Sequence, residues 1–516
     1  MKRFFNTAGP CKADLHYMLS PLDRLPKLQG LIEQQGYFVI HAPRQTGKTT
    51  AIMALAKQLT ASGQYTAIVL SVETGAAFPT DLDGAERAIL GSWRTSALNR
   101  LPETLQPPPW PNGEPGQRIQ AALTAWARQN PRPLVVLIDE IDVLQNDVLI
   151  SVLRQIRAGY PDRPEGFPHS LALVGVRDVR DYKVKSGGSD RLGTASPFNI
   201  KVESFTLNNF SLKEIKILYQ QHTEATGQVF LPEAIDRIFD LTQGQPWLVN
   251  AIARQLVQVV VPDSTNTITI AAVNQAKEIV IQRQETHLDS LVSILQEPRI
   301  KSMFEPMLAG ESLDTVPEDD RQFLVDLGLV RRDGSGGLIM ANRIYQEIIP
   351  RVLASGTQDS LPRITPSWLT SDGKLDPDAL LNAFLTFWKQ HGEPLLRSAP
   401  YHEIAPHLVL MAFLHRVVNG NGTIDREYAV LSGRMDLFVQ YGEVKMAMEL
   451  KVWRDGRQDP LTEGLNQLDY YLSGLGLETG WLVIFDRRSN VPPISDRTSS
   501  ETVTSPQGRS IVLIRG

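Results

Sequence analysis

The chain has 516 residues, enough for about three domains, and its 42% apolar and 21% charged residues are typical of a soluble globular protein. Because 52 Lys and Arg residues stand against 57 Asp and Glu residues, for a net charge of −5, the composition excludes a uniformly basic nucleic-acid coat, and any contact with DNA must be a local patch. The single cysteine, Cys11, excludes an intrachain disulfide and argues against a cysteine-based zinc site. This cysteine usage predicts a reducing, cytoplasmic location. No stretch approaches the roughly 20 apolar residues of a membrane span.

The segment 1–20 precedes the first predicted strand. His16 and Tyr17 lie in this segment, and either ring could stack on an adenine base, although local packing is the favoured role. Apolar residues at helical spacing over 22–32 then lead to an apolar strand over 37–40.

A phosphate-binding loop is predicted directly after this strand. The loop ends in Gly47-Lys48-Thr49 and a helical stretch follows over 51–59, which is the strand–loop–helix context that a P-loop requires. Backbone N–H groups of the loop and the helix N-terminus would bind a polyphosphate, with Lys48 reaching the β- and γ-phosphates and the Thr49 hydroxyl ligating Mg²⁺. Ala42 replaces the first glycine of the pattern, and the alternative interpretation is a plain turn before an amphipathic helix. The residues expected to bind the nucleotide are Ala42, Pro43, Arg44, Gln45, Thr46, Gly47, Lys48, Thr49 and Thr50.

A second nucleotide motif follows an apolar strand over 134–138. This strand ends in Asp139-Glu140, a weak signal alone but a strong one after a P-loop. Asp139 would hold the Mg²⁺ shell, and Glu140 would polarise the attacking water, because hydrolysis needs a base beside the γ-phosphate. Asp142 is expected to cap the next helix.

Besides a buried strand over 65–72, two further strands are predicted over 171–176 and 202–207. Arg177 follows the first of them, at a place where a polar residue senses the γ-phosphate in many ATPases; a surface salt bridge is the equal alternative. Whether Arg177, Arg180 or Arg191 contacts the nucleotide is left open. Strands that alternate with helices imply a parallel α/β sheet covered on both faces, with the extra strand of the Asp-Glu class of P-loop ATPases.

These motifs, with the lead-in Gly9-Pro10, resemble those of the AAA-like, STAND-related prokaryotic ATPases. The resemblance covers about residues 1–355 and implies a P-loop ATPase core over 1–207, a helical lid over 208–280 and a winged helix over 281–355. Gly244 and Pro246 match the Gly-x-Pro lid motif of that group, in which the proline packs near the adenine. They also suit a plain helix end followed by a helix start.

The predicted winged helix contains a helical stretch over 320–327 and a hairpin over 329–340. Arg331 and Arg332 in the hairpin would suit phosphates of DNA, but only a few basic residues cluster there, and a protein-packing role is slightly favoured. A Ser-, Thr-, Pro- and Gly-rich linker is predicted over 356–378.

The C-terminal domain over 379–516 is predicted as helices over 379–418, three strands, a helix over 461–472 and a buried strand over 480–485. Asp436 lies on the second of the three strands, and Glu449 and Lys451 on the third, two residues apart and therefore on one face. The two carboxylates could hold Mg²⁺, and the lysine could orient or deprotonate a water for attack on a phosphodiester.

This arrangement resembles the PD-(D/E)XK nuclease superfamily, whose core is helix, three strands, helix, strand. Family members often add an acid on the first helix and a Gln with a Tyr on the second, and Glu403, Gln467 and Tyr470 match those places. Met435 stands where the nominal proline is expected. The alternative is surface charge on an edge strand, which must explain two acids and a lysine beside buried strands.

The resulting hypothesis is an ATP- and Mg²⁺-dependent molecular switch that controls a metal-dependent nuclease domain, a fusion that commonly suggests prokaryotic defence. The competing hypothesis is a non-catalytic regulator whose C-terminal domain only binds nucleic acid or protein. Nucleic acid is the expected partner, with DNA favoured over RNA; no membrane is involved, and self-association into a homo-oligomer is left open.

Overall fold

A computed structural model describes residues 3–177, 198–283, 294–295, 297, 299–300, 303–304, 317–332, 337–349, 368–398, 405–418, 422–430 and 433–516. The chain divides into two compact units. The first contains Met1–Gln284 and Glu318–Asn342, and the second contains Glu285–Pro317 and Arg343–Gly516. The described helices include none that is long and apolar enough to cross a membrane.

The first unit is built on a parallel five-stranded sheet, as predicted, with the spatial order β2-β3-β4-β1-β5. β4 lies between the strand that leads to the P-loop and the strand that ends in Asp139. The strands are β1 Tyr37–His41, β2 Thr66–Ser71, β3 Leu134–Asp139, β4 Ser170–Gly175 and β5 Glu203–Thr206.

Helices cover both faces of this sheet, because successive strand residues are apolar on both sides. In β1, Tyr37 and Val39 join one buried cluster, whereas Phe38 and Ile40 join the other. The second cluster receives the helices Leu28–Glu33 and Lys48–Ala61. The first cluster receives the helices Leu82–Arg100, Arg118–Gln129 and Asn146–Gly159.

The predicted lid is helical. Its described elements are the α-helices Leu212–Thr226, Pro232–Thr242, Pro246–Gln255 and Ile270–Arg283, with a π-helical turn over Leu256–Val260. The Ser211 side chain and Glu214 form a capping box at the first of them.

Gly244 and Pro246 form the junction between two lid helices. Gly244 has a φ of +71° and approaches Phe210 so closely that a Cβ there would overlap the Phe210 carbonyl oxygen. The Gln245 side chain then caps the next helix by accepting a hydrogen bond from the Leu248 N–H at 2.6 Å, and Pro246 occupies its first turn. The helix-start role expected for Pro246 is therefore confirmed, whereas the preceding helix ends at Thr242 with Gln243 as its left-handed C-cap and Gly244 next in the turn.

Part of the predicted winged helix is described. The helix Glu318–Asp326 precedes an antiparallel hairpin of β6 Val330–Arg332 and β7 Leu338–Met340. Arg332 in this hairpin pairs with Glu318 at 2.9 Å. Much of the remaining range 281–355 lies outside the described residues.

The second unit contains a mixed six-stranded sheet with the order β12-β13-β11-β10-β9-β8. β8, β9 and β10 are antiparallel neighbours, whereas β10, β11 and β13 run parallel to one another. The strands are β8 Gly422–Val430, β9 Gly433–Tyr441, β10 Val444–Trp453, β11 Thr479–Asp486, β12 Ser499–Thr504 and β13 Ser510–Arg515. The helices are Pro377–Ser398, Ala405–Val418, Leu461–Leu475 and Ile494–Arg497.

The C-terminal part of the predicted linker over 356–378 has packed structure, and residues 356–367 lie outside the described residues. Trp368 is buried and its ring lies 5.8 Å from that of Phe413, while Leu369 and Leu375 form a β-bridge. The polar, glycine-containing sequence between Leu369 and Leu375 forms a small turn. The packed part of the second unit therefore includes residues from 368 onward.

We expect Gly244→Ala to destabilise the first unit more than Gly227→Ala. Both glycines have positive φ, but an added Cβ at Gly227 meets nothing within 4 Å, so that substitution should cost roughly 1–2 kcal/mol of backbone strain. Gly244→Ala adds overlap with a backbone atom and should cost roughly 3 kcal/mol or more. Calorimetric melting of both variants measures the difference, and equal decreases in Tm would contradict the close approach to Phe210.

Candidate functional site

The P-loop reverses direction between the end of β1 and the helix Lys48–Ala61. Gln45 and Gly47 both have positive φ, at 60° and 94°, and the Thr46 hydroxyl donates to the Pro43 carbonyl at 2.9 Å. Ala42 is buried at the strand end, so the alanine that departs from the motif is accommodated there. The loop therefore has the tight, glycine-dependent turn that precedes a phosphate-binding helix N-terminus.

Lys48 is held inside this loop. Its Nζ donates to the carbonyl oxygens of Ala42 at 2.7 Å and Pro43 at 2.8 Å. Burial lowers the pKa of Lys48 to about 8, although Asp142 and Asp139 oppose the shift. An anion placed at the loop would compete with the two carbonyls for this ammonium group.

Thr49 and Asp139 meet beside the loop. Thr49 Oγ1 donates to Asp139 Oδ2 at 2.7 Å, and the Glu140 N–H donates to Asp139 Oδ1 at 3.0 Å. Burial raises the pKa of Asp139, while these hydrogen bonds and Lys48 lower it in part. A hydroxyl and a carboxylate in contact are suitable ligands for Mg²⁺, so both predicted ligands lie together.

Glu140 lies next to this pair in a left-handed backbone conformation, with a φ of 61°. Ser71 at the end of β2 donates to Glu140 Oε2 at 2.9 Å, because Ser71 and Asp139 are register partners in adjacent strands. Burial raises the pKa of Glu140, which increases its basicity. Ser71 is a site residue that sequence reasoning missed, and its place at a strand end was the available signal.

The expectation that Asp142 caps the next helix is wrong. Its Oδ1 instead accepts a hydrogen bond from the Val176 N–H at 3.1 Å, and the helix Asn146–Gly159 has Gln145 at its N-cap position. Asp142 thus joins the end of β4 to the segment after Glu140.

Arg177, the predicted phosphate sensor, forms an ion pair in this structure. Its Nε lies 3.4 Å from Asp326 Oδ2, and its guanidinium lies 4.6 Å from the Phe323 ring centroid. Gly328, two residues beyond Asp326, has a positive φ and packs against Pro43 of the P-loop, where a Cβ would come within 2.6 Å of the proline ring. The helix Glu318–Asp326 therefore connects with both the end of β4 and the P-loop, while Arg180 and Arg191 lie outside the described residues.

Tyr17 has the packing role rather than an open ring face for adenine. The ring is 1% exposed and lies 4.9 Å from Phe5 and 5.4 Å from His222. His16 is also buried, against Phe4.

The segment around Thr7 joins the P-loop helix to the lid. Thr50 Oγ1 accepts a hydrogen bond from the Cys11 N–H at 3.1 Å. The lid residues Trp247 and Arg254 donate to the carbonyl oxygen and hydroxyl of Thr7, at 2.9 Å and 2.6 Å. Pro246, expected near the adenine, immediately precedes Trp247 and is buried.

A second candidate site lies in the other unit, where β9 and β10 pair. Asp436 Oδ2 accepts a hydrogen bond from the Leu450 N–H at 2.8 Å, and Lys451 Nζ lies 3.1 Å from Glu449 Oε1. The three predicted residues are thus brought together on neighbouring strands. β10 is paired on both sides, so the alternative of surface charge on an edge strand is wrong.

Glu449 is the most constrained member of this site. It is 3% exposed, and its Oε2 has no hydrogen-bond partner among the residues that the structure describes. Burial and the charge of Asp436 raise the pKa of Glu449, although Lys451 opposes them. A buried carboxylate oxygen without a partner is costly, and a cation at this oxygen would remove that cost.

Lys451 is surrounded by acceptors from the helix Leu461–Leu475. Gln467 Oε1 accepts from Lys451 Nζ, and Glu463 Oε1 lies 3.4 Å from the same nitrogen. Burial alone would lower the pKa of Lys451, but Glu449, Asp436 and Glu463 raise it overall. Lys451 is therefore a stable cation in this structure, which suits orienting a water better than deprotonating one.

Gln467 lies next to Lys451, as its predicted supporting role requires. Glu463, one helical turn earlier, also lies near Lys451, and sequence reasoning missed it. Tyr470 is 37% exposed, whereas its neighbour Tyr471 packs into the core. Glu403 lies outside the described residues. Within the described part of the chain, no group of three or more His, Cys, Asp or Glu side chains is arranged to hold a metal ion, so Asp436 and Glu449 form a two-carboxylate set.

No protein-family model matches the chain, and no curated protein matches it. Among solved structures, the chain is similar to the Walker-type ATPase PABY2304 of Pyrococcus abyssi, with 12% identity and a TM-score of 0.45 over 67% of this chain and 99% of that one. It is also similar to the RuvB Holliday junction branch migration motor of Thermotoga maritima, with 15% identity and a TM-score of 0.34 over 63% of this chain and 92% of that one. Cdc6p from Pyrobaculum aerophilum has 14% identity and a TM-score of 0.35 over 64% of this chain and 92% of that one.

We expect ATP binding to take up protons at alkaline pH. The pKa of Lys48 is about 8 without nucleotide, and phosphates in contact would raise it, because a nearby anion favours the ammonium form. ATP affinity should be independent of this group below pH 8. It should then fall by up to about tenfold per pH unit above pH 8, until the raised pKa is passed.

Calorimetric titration at about pH 8.5 in buffers of different ionisation enthalpy measures the proton uptake. Lys48→Met, which keeps a long side chain without a titrating group, should abolish the uptake. An unchanged uptake in this variant would assign the proton to another residue.

Proposed function

We propose that the first unit is an ATP-dependent molecular switch. The observation that carries this proposal is the 2.7 Å hydrogen bond between Thr49 and Asp139, because it joins the P-loop helix to the acidic end of β3. Lys48 is partly buried in the same loop, where the β- and γ-phosphates of ATP would replace its two carbonyl partners. The left-handed backbone at Gly47 supports the same assignment.

The residues divide the chemistry of hydrolysis between them. Bound Mg²⁺ would neutralise charge on the β- and γ-phosphates, and Thr49 and Asp139 are the residues that would hold it. Lys48 would bind the phosphates directly. Glu140, oriented by Ser71, would accept a proton from the attacking water, and its raised pKa suits that task.

We further propose that the helix Glu318–Asp326 and the lid respond to the nucleotide. Arg177 is paired with Asp326, and Gly328 packs on Pro43, so the helix and its following turn touch the two places where a γ-phosphate would act. A nucleotide that draws Arg177 away from Asp326 would release this helix. Such a movement is the conformational output of the switch.

We propose that the second unit is a metal-dependent nuclease of the PD-(D/E)XK type. The supporting observation is Glu449, whose buried Oε2, beside Asp436 and Lys451, has no hydrogen-bond partner in the described part of the chain. A divalent cation held there would activate a water and polarise a phosphodiester. Asp436 and Glu449 would hold the cation, and Lys451 would orient the water and stabilise charge that develops on the phosphate.

The second candidate function is a non-catalytic regulator that binds nucleic acid through this unit. The two-carboxylate set favours it, because a cation held by few protein ligands is bound weakly. In both cases the proposed partner is nucleic acid, with DNA favoured. Oligomerisation on ATP binding and a role in prokaryotic defence are parts of the same proposal.

Substitutions at the first site should separate nucleotide binding from hydrolysis. Lys48→Ala removes a charge-assisted contact and should weaken ATP binding by about 10- to 100-fold. Glu140→Gln keeps the shape of the side chain and should bind ATP normally, while hydrolysis falls by about 10²- to 10⁴-fold. Equilibrium binding and phosphate release are the measurements, and wild-type hydrolysis in both variants would refute the ATPase assignment.

Substitutions at the second site should separate metal binding from catalysis. Asp436→Ala or Glu449→Ala should abolish both Mn²⁺ binding and cleavage. Lys451→Ala should retain the metal while the cleavage rate falls by about 10²- to 10³-fold. Glu443→Gln, which neutralises an exposed carboxylate at the β9–β10 turn, is the matched control.

Calorimetric Mn²⁺ titration and cleavage of DNA and RNA are measured on the same preparations, with and without ATP. If all three variants still cleave nucleic acid, the proposed nuclease site is wrong. If the wild type cleaves nothing under any of these conditions, the regulator is the correct function.

A further inference from the structure

Two loops of the second unit meet where β10 and β11 end, side by side and parallel. The Arg487 N–H donates to the Trp453 carbonyl at 2.8 Å. Asp455 accepts hydrogen bonds from both the N–H and the hydroxyl of Ser489, the latter at 2.6 Å. The loops 454–459 and 487–493 are therefore fixed to each other, and the cleft beside them has a preset shape.

Arginines dominate this region, although the whole chain is acidic. The segments 451–459 and 486–497 hold six basic and four acidic residues, against a net charge of −5 for the chain. Arg488 forms a bidentate pair with Asp486 and lies 3.5 Å from the Trp453 ring centroid. It forms a rigid wall of the cleft.

Other arginines here form no ion pair with any carboxylate that the structure describes. Within the described residues, Arg457 and Arg487 make no ion pair, and the buried Nε of Arg497 has no hydrogen-bond partner. Burial lowers the pKa of Arg497. Asp486 and Glu393 oppose that shift, and Arg487 and Arg488 add a smaller lowering effect. Within the described residues, these arginines thus offer N–H donors that no carboxylate occupies, and an anionic ligand would accept hydrogen bonds from them.

The cleft, of about 430 Å³, is lined by Arg487, Arg488, Arg497 and Asn490, with Glu393 and Asp486 at its side. Trp453 lines an adjoining cavity with Arg488, Arg497 and Arg515. Polar donors on a fixed surface are the groups that bind nucleic-acid phosphates without reading sequence.

The position along β10 links this cleft to the proposed cleavage site. Glu449, Lys451 and Trp453 alternate along one strand and share a face. Trp453 therefore lies about 7 Å beyond Lys451, at roughly 3.3 Å per residue. Arg488 lies over the Trp453 ring, and the cavity that Trp453, Arg488 and Arg497 line adjoins the cleft. A nucleic-acid strand that extends from Lys451 past Trp453 would meet this cavity first.

We propose that the cleft formed by Arg487, Arg488 and Arg497 binds the phosphate backbone of nucleic acid beside the reacting phosphate. The inference rests on the proposed nuclease or nucleic-acid-binding function of this unit and names the surface that holds the strand. It requires no metal, because the arginines act on the backbone alone.

The test is binding of a fluorescent DNA oligonucleotide to the full chain in EDTA, as single strand and as duplex, over a range of salt concentrations. Arg487→Gln should weaken binding by about tenfold. It should also reduce the slope of log K against log salt by about 0.7 to 0.9, the loss of one phosphate contact. Arg487→Lys should restore the slope because it keeps the charge.

Arg497→Gln should behave like Arg487→Gln, and the exposed Arg487 keeps the test valid if the partly buried Arg497 variant fails to fold. Lys445→Gln removes one charge at the opposite end of β10 and should bind like the wild type. The inference would be overturned if both arginine variants bound the oligonucleotide with the affinity and salt slope of the wild type. It would also be overturned if the wild type bound no oligonucleotide, a result that would point to an acidic protein partner.

Cleavage measured in Mn²⁺ distinguishes this result from the nuclease proposal. If the wild type cleaves but the arginine variants bind normally, the cleft assignment fails and the nuclease stands. If the arginines control binding while nothing is cleaved, the cleft stands and the regulator is the correct function.

Discussion

Parallel strand pairing brings the polar groups of the first site together. β1, β3, β4 and β2 all run the same way, so their carboxyl ends share one edge of an otherwise apolar sheet. Ser71, Asp139 and the P-loop after His41 meet there because register, not local sequence, aligns them. The adjacency of Thr49 and Asp139, 90 residues apart, depends on that pairing and on the buried clusters that hold both faces of the sheet.

The two sites use lysine in opposite electrostatic settings. Lys48 is hydrogen-bonded to neutral carbonyls, and burial lowers its pKa. A polyphosphate that binds beside it would therefore stabilise its ammonium form strongly. Lys451 is surrounded by Glu449, Glu463 and Gln467, and its pKa is raised. The first lysine is therefore arranged to bind an anion strongly, and the second to remain charged beside carboxylates throughout a reaction.

Local sequence patterns predicted the parts that depend on nearby residues. The P-loop and the strand before Asp139 follow from apolar runs, and the placement of Glu449 and Lys451 on one face follows from their spacing of two residues. β12 was missed because Ser499–Thr504 is a largely exposed edge strand without an apolar run. The partner of Arg177, the hydrogen bond of Asp142 and the proximity of Glu463 depend on long-range packing, which no local pattern encodes.

The segment around Thr7 limits how far the lid can swing. Two lid side chains, Trp247 and Arg254, are hydrogen-bonded to Thr7, and the N–H of Cys11 is bonded to the P-loop helix through Thr50. The two attachments, Thr7 and Cys11, are four positions apart in the chain, and a fully extended segment of that length spans at most about 14 Å. While these hydrogen bonds hold, the segment tethers the lid to the P-loop helix. The lid can rotate about Thr7, but the distance between Thr7 and the helix that carries Lys48 stays limited by the length of the segment.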